Sequence, residues 1–253
     1  MLALEFPPIN EVIRWRDLFP TFNKIALIAV LAALITVVLL FIASRRDPLK
    51  APRGVRNLVE AVVDFIEGIV MQTIGRDGLG WTPFLLSLFM FIYLCNVPGI
   101  IPPLYMPATA RMAIPIFLAV VVWFIYNGVG IKHQGFFGYL KSTGFPPGVP
   151  KPIYVLLTPI EFISVFIVRP FSLAIRLFAN MLAGHLLLVT FALLTDAMVN
   201  AETKQALLVP LSILPFGMQI FLTAFEVLVG FLQAYIFTIL AAVYIGTAMH
   251  PEH

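Results

Sequence analysis

Charge and cysteine are what this chain has least of. Acidic and basic residues together make up 11% of its 253 residues, too small a share to solvate the surface of an ordinary globule, while 60% are hydrophobic and the mean hydropathy is +0.98. A soluble domain of normal make-up is excluded, and the chain reads as a bilayer protein. The single cysteine, Cys95, lies in an apolar run, which excludes an internal disulfide and a thiolate metal site. No GxxxxGK[ST] phosphate loop occurs, so the sequence offers no nucleotide cradle of that kind. Internal repeats and low-complexity tracts are also missing, and residues 1–253 are read as one integrated membrane domain. Residues 1–23 hold no short apolar core followed by a small-residue cleavage site, so no cleaved signal peptide is expected. The formal net charge of +3 comes from cations clustered near apolar runs, which fits membrane topology better than nucleic-acid binding.

What is present is long uncharged sequence. Residues 25–43 carry no charge and are long enough to cross a hydrocarbon core of ~30 Å. Arg45, Arg46, Lys50, Arg53 and Arg56 follow, and the positive-inside rule puts their loop on the cytoplasmic side, with the N-terminus outside. In residues 57–75, Glu60, Asp64 and Glu67 share one helical face opposite apolar residues, the pattern of an amphipathic helix on the inner interface. Two further spans are expected at about 82–104 and 113–131. Arg111 stands between them, and Lys132, Lys141 and Lys151 follow the second, so the inner loops stay basic. Residues 153–195 and 207–249 are each apolar for 43 residues, roughly 64 Å if helical, about twice the bilayer core. Neither contains a polar reversing turn, so the fold expected is all-α and polytopic, with about five transmembrane segments closing in a long, tilted antiparallel hairpin over 153–249. Bends are expected near Pro159, Pro170, Pro210 and Pro215. The C-terminus returns to the cytoplasm.

That hairpin carries Glu161, Arg169, Arg176, His185 and Glu226 within apolar sequence. A charge at a helix centre costs ~2.5–3.5 kcal/mol on insertion scales, so each requires a partner, water or a route to the headgroups. Arg169, beside Pro170, reads equally as a snorkelling or structural cation and as a functional one. Arg176 lies a further seven residues into apolar sequence and reads as functional. Ser172, Asn180 and Ala183 share its helical face, with Gly184 nearby, which suits either a close-approaching partner or ordinary small-residue packing. On the second long segment Gln219, Glu226 and Gln233 recur at intervals of seven, a polar line that suits a water path or interhelical hydrogen bonds.

The stretch RPFSLAIRLFANMLAGHLLL, residues 169–188, is similar to the signature of the ATP synthase subunit a family, and FLQAYIFTILAAVYI, residues 231–245, resembles its closing helix. The resemblance implies that Arg176 is the stator arginine facing a ring of rotor c subunits. It implies too that Gln233 is the glutamine near that arginine and that His185 with Glu226 form the proton-path pair. A guanidinium cannot relay protons at pKa above ~12, so its expected work is electrostatic: it favours ionisation of a passing rotor carboxylate and bars direct leakage between two aqueous half-channels. Topology then puts Asn180, His185 and Glu226 on the outer half-channel, with Asn96 either joining them or capping its helix. Ser172, Glu161 and Tyr244 lie inward. A hairpin centred near Gln205 brings Arg176 toward Gln233 and His185 toward Glu226. His185, however, is nine residues from Arg176, about 180° round an ideal helix, so straight helices cannot make both contacts direct. The implied partners are the c-ring, peripheral-stalk b subunits and lipid. The implied cargo is H+, with no cofactor, metal, nucleotide or nucleic acid on this chain, and ATP chemistry on other subunits. A bacterial plasma membrane is the expected location, with the mitochondrial inner membrane as alternative. A stand-alone secondary transporter and a structural subunit of a respiratory complex are the competing readings.

Overall fold

The computed structural model describes residues 17–19, 22–44, 54–101, 107–145, 151–199 and 208–250. Apart from a short antiparallel ladder, β1 (Asp17–Phe19) with β2 (Phe22–Asn23), the described residues are helical. Five stretches are long and apolar enough to span a membrane: Lys24–Ile42, Arg76–Gly99, Ala113–Gln134, Tyr154–Val199 and Val209–Met249. The loop cations Arg45, Arg46, Lys50 and Arg53, and the tip of the closing hairpin at residues 200–207, lie outside the described residues.

Helix α1 (Lys24–Ser44) buries Ile25, Ile28, Ala32 and Thr36, recurring at three and four residues, and leaves its other faces apolar and exposed. Helix α2 (Val55–Thr73) is the amphipathic segment and is not among the spans. Its Val59, Ile66, Ile69 and Val70 are buried, and the Phe65 ring packs against Phe89, Phe231 and Tyr235. Helix α3 (Thr82–Asn96) is shorter than its sequence suggests. Pro98 has no N–H to continue the ladder, and a tighter 3-10 turn, Val97–Gly99, takes over. Helix α4 (Ala113–Gln134) ends at Gly135, whose φ of 74° suits a residue without Cβ and lets α5 (Phe136–Gly144) turn away.

The first long segment consists of α6 (Tyr154–Ile163), a π-helical turn (Ser164–Val168) and α7 (Arg169–Val199). Pro170 explains the turn. Its ring would crowd the carbonyl four residues back, and widening the helix there lets the Arg169 N–H bond Ser164 O, five residues back. Pro159, by contrast, lies within α6. On the return, α8 (Leu208–Leu211) contains Pro210 and stops before Ser212, and α9 (Ile213–Met249) carries Pro215 in its first turn, where no intrahelical donor is lost.

Helix α9 is the centre of the fold, packing against α7, α3, α4 and α2. The main core joins Ile66, Leu85, Val122, Leu177, Phe237 and Ile245 from those elements. A second cluster joins the start of α1 (Ile25, Ile28), the end of α3 (Cys95), Ala108 and the middle of α7 (Met181). At the other end, Gln134 Nε2 donates to Ala248 O at 3.0 Å and His250 lies 3.8 Å from Asp77. The spans therefore alternate in direction.

Candidate ion path on the closing hairpin

Helix α7 has a buried and an exposed face because its sequence alternates chemistry at the helical period. Leu173, Ala174, Leu177, Met181, His185 and Leu188 are buried, recurring mainly at three and four residues. The opposite side, with Ile175, Ala179, Asn180, Ala183 and Leu187, is exposed. Arg176 is half-buried at its edge and makes no hydrogen bond or ion pair with any described residue. His185 is 2% exposed and turned away from the Arg176 face, as the nine-residue spacing demands.

Helix α9 presents its polar residues to that edge. Glu226 and Gln233 are 5% and 2% exposed, seven residues and therefore about 20° apart round the helix. Asn180 Nδ2 donates to Gln233 Oε1 at 2.7 Å, so the glutamine is held one turn from Arg176 by the asparagine. Glu226 meets α7 beside His185, at Gly184. A Cβ added to Gly184 would lie 3.1 Å from Glu226 Oε1, so the glycine makes the space the carboxylate occupies. Neither carboxylate oxygen of Glu226, nor Gln233 Nε2, has a hydrogen-bond partner among the described residues. Buried groups of this kind are costly unless water or a proton completes them. They border a groove of about 310 Å³ shared by Asn180, Ala183, Gly184, Glu226 and Gln233. Gln219, the third member of the seven-residue series, is half-buried and does not line the groove.

A second cavity, of about 800 Å³, opens at the other end of the hairpin, lined among others by Glu161, Arg169, Tyr244, Tyr126, Tyr139 and Gln134. The Arg169 guanidinium lies 5.1 Å from the Tyr244 ring centre, a cation–π contact, and the Tyr244 ring meets Tyr126 edge-on. Arg169 thus has a structural contact inside the chain, whereas Arg176 has no hydrogen bond, ion pair or ring contact among the described residues. Tyr126 Oη donates to Val165 O at 2.5 Å, using a carbonyl of the π turn. Burial pushes the Tyr139 phenol above its ordinary range, which keeps it a neutral donor to Asn127 Oδ1 at 3.0 Å. Ser172 is half-buried and, like Arg176, lines neither cavity. The two residues lie along α7 between this second cavity, which ends at Arg169, and the groove, which begins at Asn180.

Asn96 is 3% exposed and does not cap its helix. Its Nδ2 donates to Gly230 O at 3.2 Å, and its Oδ1 accepts from Thr109 Oγ1 at 2.5 Å. Thr109, Tyr126 and Gln134 are polar residues that the sequence does not mark out, because none belongs to a polar series at the helical period.

Spans of alternating direction, and ionisable groups buried along a closing hairpin, define a polytopic helical membrane protein. A family model described as ATP synthase A chain matches residues 26–246. Proteins named ATP synthase subunit a align along most of the chain. That of Frankia alni is 46% identical, covering 91% of this chain and 79% of its own length; that of Rhodococcus erythropolis is 41% identical, covering 91% and 83%. That of Hyphomonas neptunium is 36% identical, covering 100% and 99%. The chain belongs to the ATP synthase A chain family.

Proposed function

We propose that this chain is the proton-translocating stator subunit of the membrane sector of an ATP synthase, with Arg176 as the barrier between two aqueous half-channels. One observation carries the reading: Arg176 is an intramembrane cation with no anionic partner among the described residues, standing at an exposed edge between a groove that holds Asn180, Glu226 and Gln233 and a cavity that holds Glu161, Arg169 and Tyr244. A charge so placed, costing ~2.5–3.5 kcal/mol at a helix centre, is balanced by a carboxylate on another protein, and a rotor ring of c subunits supplies one after another. As each carboxylate arrives, the fixed guanidinium lowers its pKa, so its proton leaves toward one half-channel, and the next proton is loaded from the other. Each charge crossing the field contributes about 2.3 kcal/mol per 100 mV.

Asn180, Glu226, His185 and Gln233 form the outer path, with Glu226 as the exchangeable group. Glu161, Tyr244 and Ser172 serve the inner one. Ala183 and Gly184 keep the rotor-facing side low. The chain has no catalytic group of its own, and ATP is made on other subunits. The peripheral-stalk b subunits hold it against the torque. It lies in a bacterial plasma membrane with its N-terminus outside and its C-terminus in the cytoplasm.

The test is Arg176→Ala beside Arg176→Lys in the assembled synthase. ATP-driven proton pumping is lost in the alanine variant, and the membranes become passively proton-leaky because the barrier charge is gone. Coupled pumping retained by Arg176→Ala would overturn the assignment.

A further inference from the structure

Two side-chain amides grip α9 in the same way. Asn96 Nδ2 donates to Gly230 O at 3.2 Å while its Oδ1 accepts from Thr109 Oγ1 at 2.5 Å. Gln134 Nε2 donates to Ala248 O at 3.0 Å while its Oε1 accepts from Ser142 Oγ at 2.5 Å. Each amide is thus oriented by a hydroxyl, and each spends its donor on a carbonyl lone pair that the helix ladder leaves free. Gly230 and Ala248 are eighteen residues apart, five turns of an ideal helix, so the two grips fall on one line of α9 about 27 Å apart.

We propose that these amides are positioning residues that fix the rotation and axial register of α9, and that Asn96 with Thr109 sets where Glu226 and Gln233 point. The inference rests on the reading of Glu226 as part of the outer path. On an ideal helix Glu226, Gly230 and Gln233 fall within about 60° of one another, so the carbonyl that Asn96 holds belongs to the face that carries the path. Helix α3 approaches there without a spacer: a Cβ added to Gly230 would lie 3.5 Å from Asn96 Cβ. Thr109 is 0% exposed and reaches Asn96 from the 3-10 turn Ala108–Ala110, whose neighbour Ala108 packs in the same cluster as Met181 of α7. The turn therefore ties α3, α7 and α9 into one unit beside the groove. A slip of 20° about the axis of α9 moves a side-chain tip at a radius of about 6 Å by roughly 2 Å, enough to take Glu226 out of the space at Gly184.

The experiment compares Asn96→Leu, Thr109→Val and Thr109→Ser in the complete synthase, in inverted membrane vesicles, with ATP-driven acidification normalised to the amount of assembled complex. Valine keeps the shape of threonine and removes its donor; serine keeps the donor. Asn96→Leu and Thr109→Val are each expected to lower pumping by roughly tenfold, since misplacement by about 1 Å costs up to 10²-fold. Thr109→Ser is expected to pump like the parent, and the Asn96→Leu, Thr109→Val double variant no worse than either single one. Equal pumping by Thr109→Val and Thr109→Ser overturns the proposal, including in the case that Asn96→Leu fails to assemble. Glu226→Gln is measured alongside. If it abolishes pumping while the Thr109 variants stay equal, the clamp alone is wrong; if it pumps normally, the path reading falls and the clamp's purpose with it.

Discussion

Gly184 is the narrowest point at which the geometry makes a graded forecast. An ideal Cβ there would stand 3.1 Å from Glu226 Oε1, 3.4 Å from its Cδ and 3.7 Å from its Cγ. In Gly184→Ala, therefore, only the carboxylate tip must move, by a few tenths of an ångström, and a glutamate side chain can supply that. Helix propensity runs the other way and favours alanine by ~1 kcal/mol within α7. Gly184→Ala should assemble as well as the parent or better and pump within about twofold of it. Gly184→Val adds two carbons about 1.5 Å beyond that Cβ, on the side of a groove of only about 310 Å³. Glu226 must then leave its position by more than an ångström, and proton pumping should fall by one to two orders of magnitude. The measurement is the initial rate of ATP-driven acidification in inverted vesicles, scaled to assembled complex. A valine variant that assembles normally and pumps at the parental rate would refute the reasoning, as would an alanine variant as damaged as the valine one.

Three further outcomes are expected. His185→Ala and Glu226→Ala should each slow pumping, and their double variant should lose less than the two effects combined; additive losses would mean independent routes. Asn180→Leu leaves the buried Gln233 amide without its one side-chain hydrogen bond among the described residues, at a cost of about 1–3 kcal/mol, so the complex should dissociate at lower temperature; adding Gln233→Leu should recover part of that loss. Tyr244→Phe keeps a ring under Arg169 and should leave thermal stability near the parent's, whereas Tyr244→Leu should lose about 0.5–2 kcal/mol of cation–π energy in the same assay.

The spans and the length of the closing hairpin were legible because uncharged runs and loop cations report burial in lipid directly. The same is true of Arg176, whose isolation in apolar sequence needs no partner to be noticed. Pairing across the hairpin was legible only to within a turn. The register puts Gln233 against Asn180 and Glu226 against Gly184, where the family resemblance implied Gln233 near Arg176 and Glu226 paired with His185. Antiparallel counting fixes a level along the helices, but rotation about each axis is set by packing against α3, α4 and the turn at Thr109. Those contacts come from residues far away in sequence. Asn96 shows the same limit: its place before a proline-rich turn suggested a cap or a water path, and nothing in the sequence points to its hydrogen bonds with a carbonyl 134 residues away and with Thr109. The π turn was foreshadowed by Pro170, yet a proline alone does not choose between a kink, a break and a widened turn.

That widened turn stores one residue more than an α-helix of the same length would hold. Removing one residue between 164 and 168 together with Pro170→Ala should leave a continuous α-helix in which Glu161 and Arg176 keep their relative phase. Removing one residue between 171 and 175 would instead swing everything upstream, Arg169 included, by about 100° relative to Arg176. The five residues Ser164–Val168 are thus the place where this helix can change its length without changing the direction in which Arg176 points.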